Sequence, residues 1–272
     1  MVLVALLACA SAAGQNQSAP LPQGSAIPGI SIPLETSGQR GFIEVGGGHS
    51  GLSQDNPSWT DAYLHAVVAG EVNTFSTEVS RQSRYGDTGW YLSGGLSHVF
   101  TDNWYGDLYL GGSTRCFFLP KYRADGFIHR KFLPRKQLVT SVGLGYDRGK
   151  DIHSAYRMYL ESSYYFQAPW VVQGGITWNR SLPGNALGHT QYVAITQGRE
   201  KRHYIALRAE YGREAYQLVN TQTVLVDFPI RDVSLSWRQW MAPMWGFNVS
   251  IEGYSNPIYH RVGGTMGVFM NF

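Results

Sequence analysis

From Gly41 onward apolar and polar side chains alternate with a period of two, in runs of about 10–13 residues separated by turn residues. Trp104, Leu108 and Leu110 fall on one face of such a run, and Tyr105, Asp107 and Tyr109 on the other. Tyr156, Met158, Leu160 and Tyr164 oppose Arg157, Tyr159, Glu161 and Ser163. The same alternation separates Ile205, Leu207 and Ala209 from Arg208 and Glu210, and Val233, Leu235 and Trp237 from Asp232 and Arg238. It recurs in Phe247, Val249 and Ile251 against Asn248 and Glu252, and in Val262, Met266, Val268 and Met270 against Arg261, Thr265 and Asn271. Successive side chains of a strand point to opposite faces, so each run predicts a strand with one apolar and one polar face.

Fourteen strands are predicted, at 41–53, 57–69, 72–84, 88–99, 103–114, 123–132, 136–147, 153–165, 170–181, 188–198, 201–213, 228–240, 243–255 and 258–272, with twelve or sixteen as the alternatives. Soluble strands average about 5–6 residues, whereas a tilted strand crossing a bilayer needs about 9–11. The runs match the longer class. Connections after even-numbered strands are short, as at Thr101–Asn103, Gln167–Pro169 and Met241–Pro243. Those after odd-numbered strands are longer and more polar, as at Arg115–Tyr122, Asp147–Ile152, Ser181–Leu187 and Glu214–Asp227. Aromatic pairs flank the short turns: Phe100 with Trp104, Phe166 with Trp170, and Trp240 with Trp245, the girdle expected at a bilayer interface. The fold class expected is all-β: a single antiparallel transmembrane barrel with short periplasmic turns and longer extracellular loops, located in an outer membrane.

Composition agrees. The chain has 32 Gly, 14% aromatic and 15% charged residues, and a net charge of +3. Gly at this density argues against a helical bundle, and the aromatics argue against disorder. Scattered basic residues leave no nucleic-acid footprint. Residues 1–13 read as the apolar and small-residue part of a signal peptide without its positive n-region, cleaved near Ala13, with a faint lipoprotein box ending at Cys9. Residues 14–40, rich in Pro, Ser and Gln, read as a flexible N-terminal segment, and 41–272 as the barrel. The chain ends MGVFMNF, and Phe272 resembles the C-terminal signal read by barrel-assembly machinery.

With the apolar faces toward lipid, the lumen receives Asp61, His65, Glu78, Asp107, Arg157, Glu161, Arg208, Glu210, Asp232, Arg238 and Glu252, interleaved with Tyr91, Tyr105, Tyr109, Tyr159 and Tyr165. Mixed signs admit two readings: a satisfied ion-pair network filling the interior, or a narrow polar pore or cleft. Trp59, Tyr85, Trp90, Tyr216 and Tyr259 are expected in or near loops, available to an exported glycan. Catalytic signals are weak. His49-Ser50 and His153-Ser154 are adjacent pairs, which a strand would point to opposite faces. No zinc spacing, phosphate loop or dinucleotide fingerprint occurs, so neither metal nor cofactor is expected. Cys116 reads as a small hydrophobe.

Three stretches carry a family resemblance: GDTGWYLSGGLSHVFTDNWYG (Gly86–Gly106), LPGNALGHTQYVAITQGREKRHYIALRAEYGREAY (Leu182–Tyr216) and WRQWMAPMWGFNVSIEGYSNPIYHRVGGTMGVFMNF (Trp237–Phe272). The chain resembles the YaiO family of outer-membrane β-barrels over about Gly41–Phe272. The resemblance implies a Gram-negative outer-membrane barrel without an established activity. It also implies a link to surface polysaccharide export or anchoring, since some relatives are encoded near glycosyltransferases. Expected partners are outer-membrane lipid and lipopolysaccharide, the barrel-assembly machinery and an exopolysaccharide. A plugged structural barrel presenting extracellular loops and a lipid-modifying enzyme are the alternatives.

Overall fold

The computed structural model describes residues 41–114, 116–167, 169–218 and 224–272. The expected signal peptide and the Pro/Ser/Gln-rich segment lie outside the described residues. The strands are β1 (Gly41–Leu52), β2 (Trp59–Ala69), β3 (Asn73–Arg84), β4 (Asp87–Val99), β5 (Trp104–Ser113), β6 (Tyr122–Phe132) and β7 (Leu138–Arg148). They continue as β8 (Ser154–Tyr165), β9 (Trp170–Leu182), β10 (Ala186–Arg199), β11 (His203–Leu218), β12 (Val224–Ala242), β13 (Trp245–Ser255) and β14 (His260–Asn271). Each pairs antiparallel with its sequence neighbours, and β1 pairs with β14 to close the barrel. The seam is bonded to its last residue: the Gly41 N–H donates to the Phe272 carbonyl at 3.1 Å, and the Phe272 N–H returns to Gly41 at 3.0 Å. No helix of the described residues is long and apolar enough to cross a membrane; the strands do the crossing.

Parity settles the two faces. Leu108 and Leu110, Met158 and Leu160, Leu207, Leu235 and Ile251 are exposed on the outer wall, where Val262 reaches 71%. Their chain neighbours Asp107, Tyr159, Arg208, Ser236 and Arg261 are buried inside. Inner-wall glycines make room for rings on adjacent strands. A Cβ on Gly143 would run into the Phe127 ring. The abundance of Gly and the abundance of aromatics are therefore one structural fact.

The length asymmetry between the two ends is smaller than the sequence suggests. Ser181–Leu187 is mostly strand, closed by the turn 183–185. Glu214–Asp227 is likewise mostly strand, because β11 and β12 keep pairing out to Leu218 and Val224. Polar residues there resembled a loop because they bond inward. The Gln217 amide donates to the Tyr259 hydroxyl at 2.9 Å and accepts from Asn256 at 2.9 Å.

Gly212 has a φ of 152°, and a Cβ there would collide with the His189 carbonyl. Gly212→Val is expected to cost about 1–3 kcal/mol or more from backbone strain alone. Gly253→Ala, where a Cβ meets nothing within 4 Å, should be near neutral. Urea unfolding in detergent micelles, read by the heat-dependent gel shift of folded barrels, measures both.

Candidate functional site

The inner wall divides into two halves. On β6–β8 a charge cluster is packed tight. The Arg123 Nε donates to Asp125 at 2.5 Å, Arg157 bridges Asp147 and Asp125, and the Tyr159 hydroxyl donates to Asp125 at 2.8 Å while accepting from the Arg157 Nε at 2.7 Å. Nearby, Arg208 pairs with Glu210 at 2.7 Å and lies 3.7 Å over the Tyr192 ring. Charges taken from water need partners of this kind.

At the end where Gly41 and Phe272 meet, here the terminal end, a second cluster packs inside the barrel. The Glu44 carboxylate, fully buried on β1, accepts from Tyr63 at 3.1 Å, from Asn248 at 2.5 Å and from Arg238 at 3.2 Å. The Arg238 guanidinium in turn lies 3.5 Å over the Phe269 ring, with Phe42 and Trp240 each at 5.1 Å. The opposite end is roofed by apolar side chains. Trp59, Phe228, Ile230, Tyr254 and Tyr259 form one buried cluster. The β5–β6 connection folds inward, burying Cys116, Phe118 and Leu119 against Tyr91. Tyr85 touches both clusters. Burial pushes its hydroxyl well above the ordinary tyrosine range, with Tyr259 beside it acting in the same direction.

Between these ends, on the wall formed by β12, β13, β14, β1 and β2, the inner residues are small and only partly buried. They include Gly48, Ser50, Ser234, Ser250, Gly263 and Thr265. Asp61, Asp232 and Glu252 share this belt, and Ser250 and Thr265 hydroxyls lie 2.7 Å apart. Two guanidiniums descend from the roof, stacked on Trp59: Arg84 at 4.6 Å and Arg261 at 4.7 Å. Arg261 also bonds Glu252. At the edge of the belt, Glu78 Oε1 and His65 Nδ1 have no protein hydrogen-bond partner, and the two residues are cross-strand neighbours. The arrangement is a polar chamber offering hydroxyls, carboxylate acceptors and guanidinium donors beneath an aromatic roof.

All eleven predicted lumen residues face inward. Glu78, Asp107, Arg157, Glu161, Arg208, Glu210 and Arg238 are buried, while Asp61, His65, Asp232 and Glu252 retain partial exposure. Asp61, Asp232 and Glu252 come together in the chamber; Arg157 and Arg238 belong to the two packed clusters. Of the predicted girdle, Phe100, Trp104, Phe166, Trp170 and Trp245 are exposed outside, as is Phe272. Trp240 is a correction. It is 7% exposed, inside the barrel against Tyr204 and Phe269. Its parity with outward Trp237 on β12 sends it inward, and nearness to a turn does not override that.

Tyr85 and Tyr259 do lie in connections and Trp59 at the start of β2, but the expectation that these aromatics are open to a ligand is corrected. Trp59, Tyr85 and Tyr259 pack into the roof, Trp90 faces outward, and Tyr216 stacks on His153 at 4.2 Å. His49 and Ser50 do lie on opposite faces of β1. Sequence reasoning missed Glu44, Arg123, Asp125, Asp147 and Arg261. It also missed a Ser–His–Asp contact: His129 Nδ1 lies 2.6 Å from the Ser141 hydroxyl and its Nε2 lies 3.0 Å from Asp107. The β6 outer face (Ala124, Gly126, Ile128, Arg130) has little apolar contrast, so its parity was hard to read. The Ser–His–Asp contact depends on register across three strands and leaves no local motif.

A model of the YaiO membrane beta barrel domain matches residues 41–217. The chain belongs to the YaiO family. No curated protein matches it. Solved structures similar to this YaiO barrel share its architecture at low identity. The monoaromatic hydrocarbon channel TodX, as its ΔS2S3 mutant, gives a TM-score of 0.61 at 9% identity, covering 86% of this chain and 91% of that one. A bacterial polysaccharide outer membrane secretin gives 0.56 at 9%, covering 86% and 99%. The translocator domain of the autotransporter NalP from Neisseria meningitidis gives 0.50 at 11%, covering 88% and 91%. The YaiO barrel is thus an outer-membrane barrel in fold and location.

Removing Arg238 leaves the Glu44 carboxylate buried without its cation, at a cost of about 3–5 kcal/mol. Arg238→Met should therefore destabilise the barrel strongly, and Arg238→Met combined with Glu44→Gln should recover part of the loss. Urea midpoints of the two variants in micelles check this coupling.

Proposed function

We propose that this YaiO barrel is a plugged outer-membrane barrel, accessory to surface polysaccharide export or anchoring, with a resting lumen that does not conduct. The observation that carries this is the burial of the inner wall at both ends. Glu44 and Phe269 at one end, and Leu119 and Tyr259 at the other, are at most 1% exposed. A water-filled pore would leave such side chains wet. On this reading the terminal end, with its short turns, faces the periplasm and the roofed end faces outside.

The link to a glycan is supported by the chamber. Its hydroxyls, carboxylates and guanidiniums can each bond a sugar hydroxyl, with Ser250 and Thr265 among the hydroxyls and Glu252 and Arg261 among the charges. A segment of saccharide would reach it once the inward-folded β5–β6 connection lifts from Tyr91.

The lipid-modifying alternative finds little support in geometry. His129 is sealed between Tyr105, stacked at 4.3 Å, and Phe127, and it is fully buried. Ser141–His129–Asp107 then ties β5, β6 and β7 together instead of attacking a substrate. A fluorophosphonate probe should leave Ser141 unlabelled in folded protein, as read by mass spectrometry of the Ser141 peptide.

In planar bilayers the wild-type barrel should show no steady conductance. Phe118→Ser with Leu119→Ser, which loosens the roof, should produce openings that added oligosaccharide blocks. A steady open-pore current from wild type would overturn the plugged reading.

A further inference from the structure

The outer wall carries a feature that neither the chamber nor the plug explains. Register aligns two rows of outward side chains across β7–β11 near the roofed end. In the lower row Leu144 pairs with Met158, Met158 with Trp178, Trp178 with His189, and His189 with Arg213. In the upper row Tyr156 pairs with Arg180, and Arg180 with Leu187. The rows border a groove of about 650 Å³ on the outside of the barrel, which Asp227 also lines.

One side of this groove is apolar and the other cationic. Leu144 is about two-thirds exposed there, with Met158 and Tyr156 half exposed beside it, while Leu187, equally exposed, lies across Arg180 on β10. Arg180, His189 and Arg213 stand together on the remaining side. Arg180 spends its Nε on the neutral amide oxygen of Asn185. Arg213 pairs with Asp227 at 2.7 Å, and this geometry orients the guanidinium while leaving donors over. With Arg213 matched by Asp227, Arg180 is left as the excess positive charge of the cluster.

Charge and position together select the occupant. An arginine at the lipid boundary needs an anion at headgroup depth, and guanidinium binds phosphate oxygens in paired, charge-assisted bonds. The adjoining apolar strip suits an acyl chain lying along the sheet. We infer that the groove binds one molecule of a phosphorylated, acylated saccharolipid of the outer leaflet, its phosphate on Arg180 and Arg213 and an acyl chain over Leu144, Met158 and Tyr156. The outward direction of the roofed end rests on the reading given under the proposed function, whereas the groove's phosphate and acyl chemistry does not.

The test uses the folded barrel in detergent micelles, with bisphosphorylated hexa-acyl lipid A as probe and native mass spectrometry as readout. Wild type should retain one lipid A. Arg180→Gln with Arg213→Gln should weaken retention at least tenfold while keeping the heat-dependent gel shift of a folded barrel. Arg81→Gln, on the outer face of the opposite wall, should bind as wild type does. Equal retention by the double variant, or equal binding of lipid A stripped of phosphate, overturns the proposal. Displacement by inorganic phosphate at the same concentration makes this a bare anion site, and equal binding of phosphatidylglycerol removes the saccharide; either result also overturns it. None of these outcomes depends on whether the lumen conducts, so the lipid site and the plugged reading fail separately.

Discussion

Hydrocarbon offers a peptide group nothing to bond with, so every strand in a bilayer must find a partner on both sides. In this barrel that condition is met at the seam between β1 and β14, bonded from Leu52–Arg261 down to the mutual pair of Gly41 and Phe272. Once the sheet closes, nothing else about the side chains is free. Each strand has one face in lipid and one inside, and a slip of one residue would exchange them. The polar half of the sequence is thereby forced into the lumen.

A lumen full of charge can be stabilised in two ways: by water or by pairing. This barrel uses pairing over most of its wall. Asp125, held by Arg123, Arg157 and Tyr159, and Glu44, held by Arg238, Asn248 and Tyr63, are solutions of the same kind at two heights. Both recruit aromatic rings as the apolar surround of a guanidinium, most closely where Arg238 meets Phe269. Where the inner residues shrink to Gly, Ser and Thr on β14 and β1, such packing cannot be completed. The chamber is the geometric consequence of small side chains opposite large ones, and Arg261, stacked on Trp59 beside Arg84, pairs with the Glu252 carboxylate there.

What could be read in the sequence is what parity controls. Strand number, and the inward direction of Asp107, Glu161, Arg208 and Asp232, follow from local alternation. Trp240 sits beside a turn, yet its side chain follows the phase visible in Val233, Leu235 and Trp237 and points inward. The roof was not legible, because Trp59 and Tyr259 lie 200 positions apart and are brought into contact only by barrel closure. The same holds for the meeting of Ser141, His129 and Asp107. Polar content at Glu214–Asp227 suggested a loop, but Gln217 and Glu214 are polar because they serve the interior of a hairpin that continues past the membrane.

The outer wall obeys the same accounting from the other side. At the terminal end the outward Arg130 lies 5.1 Å over Trp104 and 4.7 Å over Phe132, so aromatic faces meet its charge. On the β9–β11 wall near the roofed end, Arg180 and Arg213 instead stand beside a groove, with one carboxylate, Asp227, on Arg213. Ring faces are sufficient at an interface where the guanidinium can also reach water. The proposed lipid, anionic at one end and apolar at the other, would meet the basic residues and the apolar strip of the groove together. The two ends of the barrel therefore differ chemically as well as in their turns. Alternation along each strand keeps the paired, charged interior and the groove-bearing outer wall on opposite faces of a single sheet, so each can take its own chemistry without disturbing the other.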